Sequence, residues 1–142
     1  MIRKYQPDDT DRLVAVWRSA IDLAHPFLTD AFVAFEAQNM RNIYLPNAET
    51  WVIEDDGTAV GFIALIEDEI GGLFLHPSFH SKGFGKSMVD HARSLKGALR
   101  VEVFEQNAVG RPFYDRYGFV ETGRYLHQES DQMMIKMRVS AS

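Results

Sequence analysis

The stretch from Ile70 to Phe104 constrains this chain more than any other. An apolar run, Ile70 to Leu75, is closed by His76-Pro77 and followed by the loop FHSKGFG, with glycines at 83 and 85. Phe84, Met88, Ala92 and Leu95 then recur at helical spacing, Gly97 suits the end of that helix, and Leu99 to Phe104 alternates as a strand. Strand, loop, helix, strand is a single β-α-β crossover, and everything around it must share its sheet.

The flanking segments supply the rest of that sheet. Ile2 to Tyr5 is a short strand ended by Pro7. Asp8 and Asp9 offer caps to a helix from about Thr10 to Ala24, whose Leu13, Val16, Trp17, Ala20 and Ala24 form one face. His25-Pro26 stops it, because proline disfavours a helical residue before it. Thr29 can cap a second helix with a patchier stripe (Phe32, Phe35, Met40, Ile43, Tyr44), closed by Pro46. From Thr50 the texture turns to strand. Thr50 to Glu54 and Ala59 to Ile66 flank the turn Asp55-Asp56-Gly57, and Glu67 to Glu69 make the next turn. After Phe104 come a short helix around Val109 to Tyr117, ended by Gly118, and strands near Val120 to Gln128 and Gln132 to Val139. The order β-α-α-β-β-β-α-β-α-β-β predicts an α+β domain with a mixed, mostly antiparallel sheet of about seven strands and four helices on its faces.

Bulk properties narrow the function. The 142 residues predict a single domain, 1–142. No apolar run approaches the ~20 residues of a membrane span, and the polar start MIRKYQPDD has no signal-peptide character. The absence of cysteine fits a reducing, cytoplasmic setting and removes thiol nucleophiles. A net charge of −5 argues against nucleic acid as a partner. Lys82, Lys86, Arg93, Lys96 and Arg100 nonetheless fall close together in this acidic chain.

Gly85-Lys86-Ser87 ends as a nucleotide-binding P-loop does, but that pattern requires glycine at position 80, where His80 stands. Nothing after Gly97 supplies the repeated β-α-β units of such a protein. A glycine loop opening a helix is still suited to anions: glycines turn successive N–H groups inward, and the helix adds its positive end. Lys82, Lys86 and the Ser87 hydroxyl add donors. The plain alternative is a tight turn with two solvated lysines.

The surrounding pattern decides between them. Leu73-Phe74-Leu75-His76-Pro77, followed by His80-x-x-Gly83-x-Gly85 and a helix, resembles motif A of the GNAT superfamily of N-acetyltransferases, written [QR]-x-x-G-x-[GA]. Downstream, Asn107, Gly110, Phe113-Tyr114 and Gly118-Phe119 resemble that family's second signature at its spacing. The resemblance runs from Ile2 to Val139 and implies a three-layer α/β/α fold. Three positions depart from the pattern: His80 for Gln or Arg, Ser81 for a common glycine, and Pro112 early in the last helix.

The resemblance implies acetyl-CoA as donor and transfer of acetyl by direct attack of a primary amine of a small molecule or peptide. It implies that Leu73, Phe74 and Leu75 pair through their main chain with the pantetheine arm. His80, through its main chain, and Ser81, Lys82, Gly83, Phe84, Gly85, Lys86 and Ser87 would cradle the diphosphate, and Asn107 would add a side-chain hydrogen bond. A main-chain N–H at Leu75 or its neighbour, freed where the fourth strand splays from the fifth, would hold the oxyanion. Tyr114 would protonate the departing thiolate. Because Leu99, Val101 and Val103 share one strand face, Arg100 and Glu102 share the other, and Glu102 resembles the base position of the family's ribosomal-protein N-acetyltransferase branch. A solvated Glu102 paired with Arg100 is its plain alternative. His25, between the first two helices, is the other base candidate, and ordered water a third. His76 and His80 lack a third ligand, so no metal site is expected. A non-catalytic CoA-binding sensor, or a transferase using another acyl-CoA, remain the rival readings, and sequence is silent on monomer against homodimer.

Overall fold

In the computed structural model, which describes residues 1–141, seven strands form one sheet in the order β1-β2-β3-β4-β5-β7-β6. They are β1 (Ile2–Lys4), β2 (Glu49–Asp55), β3 (Thr58–Ile66), β4 (Glu69–Leu75), β5 (Leu99–Phe104), β6 (Val120–His127) and β7 (Gln132–Val139). Helices α1 (Thr10–Ala24), α2 (Asp30–Asn39), α3 (Phe84–Lys96) and α4 (Gly110–Tyr117) lie on its faces. Every strand pair is antiparallel except β4 with β5, which the α3 crossover joins in parallel.

Each face carries its own core. On one, Leu13, Trp17 and Ile21 of α1 and Val33 of α2 pack on Val52, Phe62 and the half-buried Phe74. On the other, Met88, Val89 and Ala92 of α3 and Tyr114 of α4 pack on Ile63, Val101, Val103 and Ile135. The alternation of β5 explains this division, since Leu99, Val101 and Val103 are buried while Arg100 is exposed.

Local chemistry accounts for most boundaries. Thr29 Oγ1 accepts the Phe32 N–H at 3.1 Å and caps α2. Asp56 and Gly57 both take left-handed angles (φ 53° and 78°), the geometry of a two-residue hairpin turn. Two expected faces differ. Leu95 is exposed, and α3 buries Gly85, Met88, Val89 and Ala92 instead. Phe35, Ile43 and Tyr44 are exposed as well. Val33 is the buried residue of α2, and a π-helical turn at Met40–Tyr44 then shifts the helical phase, so that Met40 and Leu45 join it in the core. Pro46 stands inside the last helical turn, Leu45–Asn47, rather than closing the segment.

One irregularity sets up everything downstream. The β3–β4 register shifts between Ala64 and Leu65, leaving Gly71 as an extra residue in β4. Parallel pairing of β4 with β5 consists of only Glu69↔Arg100 and Ile70↔Val101. Beyond the Gly71 bulge the two strands diverge, opening a gap through the sheet.

Candidate active site

That gap is the centre of a cleft of about 960 Å³. Its walls come from both layers: Leu73–Leu75 of β4, Glu102 and Phe104 of β5, His25 beyond α1, Tyr114 of α4 and the start of α3. With no partner strand beyond Ile70, the β5-facing main-chain groups of β4 are left for a ligand, as the expected splay requires.

At one end the cleft meets the mouth of α3. Gly83 caps the helix in the left-handed region (φ 84°), and Ser81 adopts it too (φ 65°), at a position where the resemblance would favour glycine. Among the described residues, the main-chain amides of 81–86 donate to no protein acceptor. Six consecutive free N–H groups at a helix N-terminus form an anion cradle. Gly85 serves differently from the expectation: its backbone is helical, and a Cβ there would stand 3.0 Å from Cε1 of Phe113. Its bareness lets α3 and α4 close together.

Three of the expected cradle donors are otherwise engaged. The His80 N–H donates to the Pro77 carbonyl at 3.2 Å, and its Nε2 lies 3.1 Å from the Leu75 carbonyl. His80 therefore braces the end of β4 and does not present its main chain to the cradle, because the turn Pro77–Phe79 consumes that N–H. Ser87 sits one residue too deep: its N–H and hydroxyl both donate to the Gly83 carbonyl at 3.0 Å. Lys86 Nζ pairs with Asp90 at 2.9 Å, which offsets part of its charge.

Asn107 is also committed in part. Its Oδ1 accepts from the N–H groups of Val109 (3.1 Å) and Gly110 (2.7 Å), capping α4 and leaving only the Nδ2 amide for a ligand. A Cβ at Gly110 would lie 2.5 Å from that Nδ2, which explains the glycine three residues on.

Tyr114 is buried between Phe113 and Phe119, each ring 5.1 Å away, while still lining the cleft. Burial pushes its phenol above the ordinary value, so it remains a neutral donor at working pH.

The opposite wall carries the two base candidates. Glu102 accepts a hydrogen bond from the Tyr125 hydroxyl. Its expected partner Arg100 pairs instead with Asp68 (2.8 Å) and Glu69 (2.9 Å), so the plain alternative fails in its stated form. His25 is buried, edge-on to Phe27 (5.5 Å) and Phe104 (5.2 Å), and its Nδ1 has no partner. Burial lowers its pKa to about 4. His127 packs against the far side of Phe104 at 5.5 Å and lines the same wall. Sequence reading missed Tyr125 and His127. Their two-residue spacing on β6 mirrors Glu102 and Phe104 on β5, but only the strand order brings the pairs together. No group of three or more His, Cys, Asp or Glu suited to a metal occurs among the described residues. No helix among them is long and apolar enough to cross a membrane.

Comparison with known proteins converges on one family. Residues 46–121 match the acetyltransferase (GNAT) domain profile. The chain is 36% identical over 124 residues to peptidyl-lysine N-acetyltransferase YjaB of Salmonella typhimurium, covering 87% of this chain and 85% of that protein. The Escherichia coli protein of the same name is 33% identical over 124 residues, with coverage of 87% and 84%. The solution structure of apo-form YjaB from Escherichia coli superposes at a TM-score of 0.89 with 28% identity, covering 100% of this chain and 98% of that one. PaiA N-acetyltransferase from Thermoplasma acidophilum, solved with coenzyme A, shares the fold at a TM-score of 0.78 and 22% identity, covering 99% and 98%. A splayed sheet with a free-amide cradle at its mouth, on a chain this similar, belongs to the GNAT family, and the protein is an acetyl-CoA-dependent N-acetyltransferase.

Proposed function

We propose that the acceptor is the ε-amino group of a lysine side chain in a protein or peptide, acetylated by direct attack on the thioester. The names of the relatives at 36% and 33% identity support this acceptor. One juxtaposition carries the chemistry: the free amides of 81–86, the unpaired edge of β4, Tyr114 and Glu102 all border one cleft.

In this reading the amides of Ser81 to Lys86 hold the diphosphate, and the β4 edge at Leu73–Leu75 hydrogen-bonds the pantetheine arm. Asn107 Nδ2 donates to that arm. A β4 main-chain N–H facing the gap stabilises the oxyanion that forms as nitrogen attacks carbon. His76 is not that donor, since its N–H is bonded to the Val60 carbonyl at 2.8 Å. Glu102 takes one proton from the lysine ammonium, which is charged at neutral pH, and the neutral amine so formed attacks. As the C–N bond forms and the C–S bond breaks, Tyr114 donates its proton to the departing sulfur, and the second proton lost by the acetylated nitrogen restores the phenol. The burial that makes the phenol a weaker acid also raises the basicity of a thiolate beside it, so the transfer stays feasible.

Glu102 suits base duty better than His25. A protonated His25 would be a buried cation wedged between Phe27 and Phe104 without a partner. Glu102 already has a donor for its charged form.

The test is to incubate the protein with acetyl-CoA and a lysine peptide blocked at its N-terminus. Free thiol and a singly acetylated peptide by mass spectrometry are the expected products, and Glu102→Gln should slow their formation at least tenfold. Thiol release only with small amines would overturn the acceptor, and an unaffected Glu102→Gln would remove that residue from the mechanism.

A further inference from the structure

Glu102 does not stand alone in its wall, and its neighbours suggest a residue that neither motif contains. β7 lies between β5 and β6, with Glu102 opposite Lys136 and Tyr125 opposite Met134. All four point to the same face of the sheet. The Tyr125 side chain therefore reaches diagonally across a whole strand to donate its hydroxyl to Glu102 Oε1. Lys136 Nζ stands 5.5 Å over the Tyr125 ring, a cation on its π face that holds the phenol down against the sheet.

Glu102 also divides two spaces. It lines the main cleft, and it lines a second cavity of about 330 Å³ with Glu69, Arg100, Lys136 and Arg138. Arg100, Lys136 and Arg138 are exposed, so this second cavity opens to water.

From this geometry we infer that Tyr125 is a positioning residue for acetyl transfer: it fixes one oxygen of Glu102 so that the other faces the amine in the cleft. The inference rests on Glu102 acting as the base. A carboxylate held by one oxygen loses its rotational freedom before the amine arrives, which is where orientation contributes to rate. Burial, and then the hydrogen bond to Glu102, push the Tyr125 phenol up to about 12, so it remains a donor across the working range. Once protonated from the cleft side, Glu102 can pass that proton to water in the second cavity without crossing the bound thioester. The charged and titratable groups around it are Tyr125 from β6, Lys136 and Arg138 from β7, Glu69 from β4, Arg100 from its own strand, and His25 and His127 on the same wall of the cleft.

The test is a double-mutant cycle on the full chain with acetyl-CoA and a lysine peptide. Tyr125→Phe keeps the ring and removes the hydroxyl. It should lower kcat about tenfold or more while the KM for acetyl-CoA stays within twofold. In a Glu102→Gln background the same change should cost less than about twofold, because the group it positions is already gone. Tyr125→Met serves as the second variant should the phenylalanine chain fail to fold, with the same expectation. A Tyr125→Phe protein with wild-type kcat overturns the inference, as does a full, independent loss in the Glu102→Gln background. Glu102→Gln retaining wild-type activity would instead bring down the base assignment, and Tyr125's role with it.

Discussion

The two ends of the cleft are built from different materials. The end proposed for the cofactor is main chain: six free amides at the mouth of α3, their geometry fixed by two left-handed residues and one bare helical glycine. The end proposed for the acceptor is side chain: Glu102, Phe104, His127 and His25 line it from β5, β6 and the turn after α1, with Tyr125 bonded to Glu102. A main-chain cradle tolerates most side-chain changes and is sensitive to glycines. A side-chain wall is sensitive to every member and open to change of substrate.

The largest expected effect lies between the two ends. Tyr114→Phe should lower kcat by about 10²–10⁴-fold while coenzyme A affinity by calorimetry stays within twofold, because the hydroxyl meets only the leaving sulfur. A parallel loss of affinity would make Tyr114 part of the cradle instead. Next comes Gly83→Ala, which places a side chain at φ 84°. Strain of roughly 1–2 kcal/mol there should weaken coenzyme A binding about tenfold, with the KM for peptide unchanged.

A pH experiment probes the acceptor end. His25 is held neutral, with a pKa lowered to about 4 by burial. Its folded value lies below the unfolded value of about 6.5, so the unfolded chain binds the extra proton between those limits. Stability is intact above about pH 6.5 and falls as pH drops toward 4. By pH 4.5 the wild type should have lost about 2 kcal/mol more than His25→Gln in urea unfolding. Equal losses would mean that His25 is solvated.

The smallest expected effect is at Ser87. Its hydroxyl returns to the Gly83 carbonyl, so Ser87→Ala should change coenzyme A affinity by less than about threefold. A larger loss would place Ser87 in the cradle after all.

The same contrast explains what was legible in the sequence. Strand alternation, helical spacing and turn glycines are local signals, and they match β5, α1, the Asp56-Gly57 turn and the strand-loop-helix unit nearly to the residue, although Asp9 bonds Arg3 and the Gln6 N–H and does not cap α1. The glycine loop at the helix mouth was legible for the same reason, although which of its amides are free was not. His80 and Ser87 drop out because of the turn at Pro77–Phe79 and the carbonyl of Gly83, contacts visible only in three dimensions. Tyr125 and His127 were hidden because β7 inserts between β5 and β6, and no local pattern records strand order. The stripe of α2 misled in its last part for a related reason: the π turn at Met40–Tyr44 breaks the helical period on which the placing of Ile43 and Tyr44 depended.

In the proposed mechanism the amides of residues 81–86 grip the donor's diphosphate. Amide-resolved NMR during a coenzyme A titration tests it most directly. Large shift changes and slowed hydrogen exchange are expected at Ser81, Lys82, Gly83, Phe84, Gly85 and Lys86, with Ser87 nearly unmoved. Saturation of binding with those six amides unshifted and still exchanging freely would contradict it.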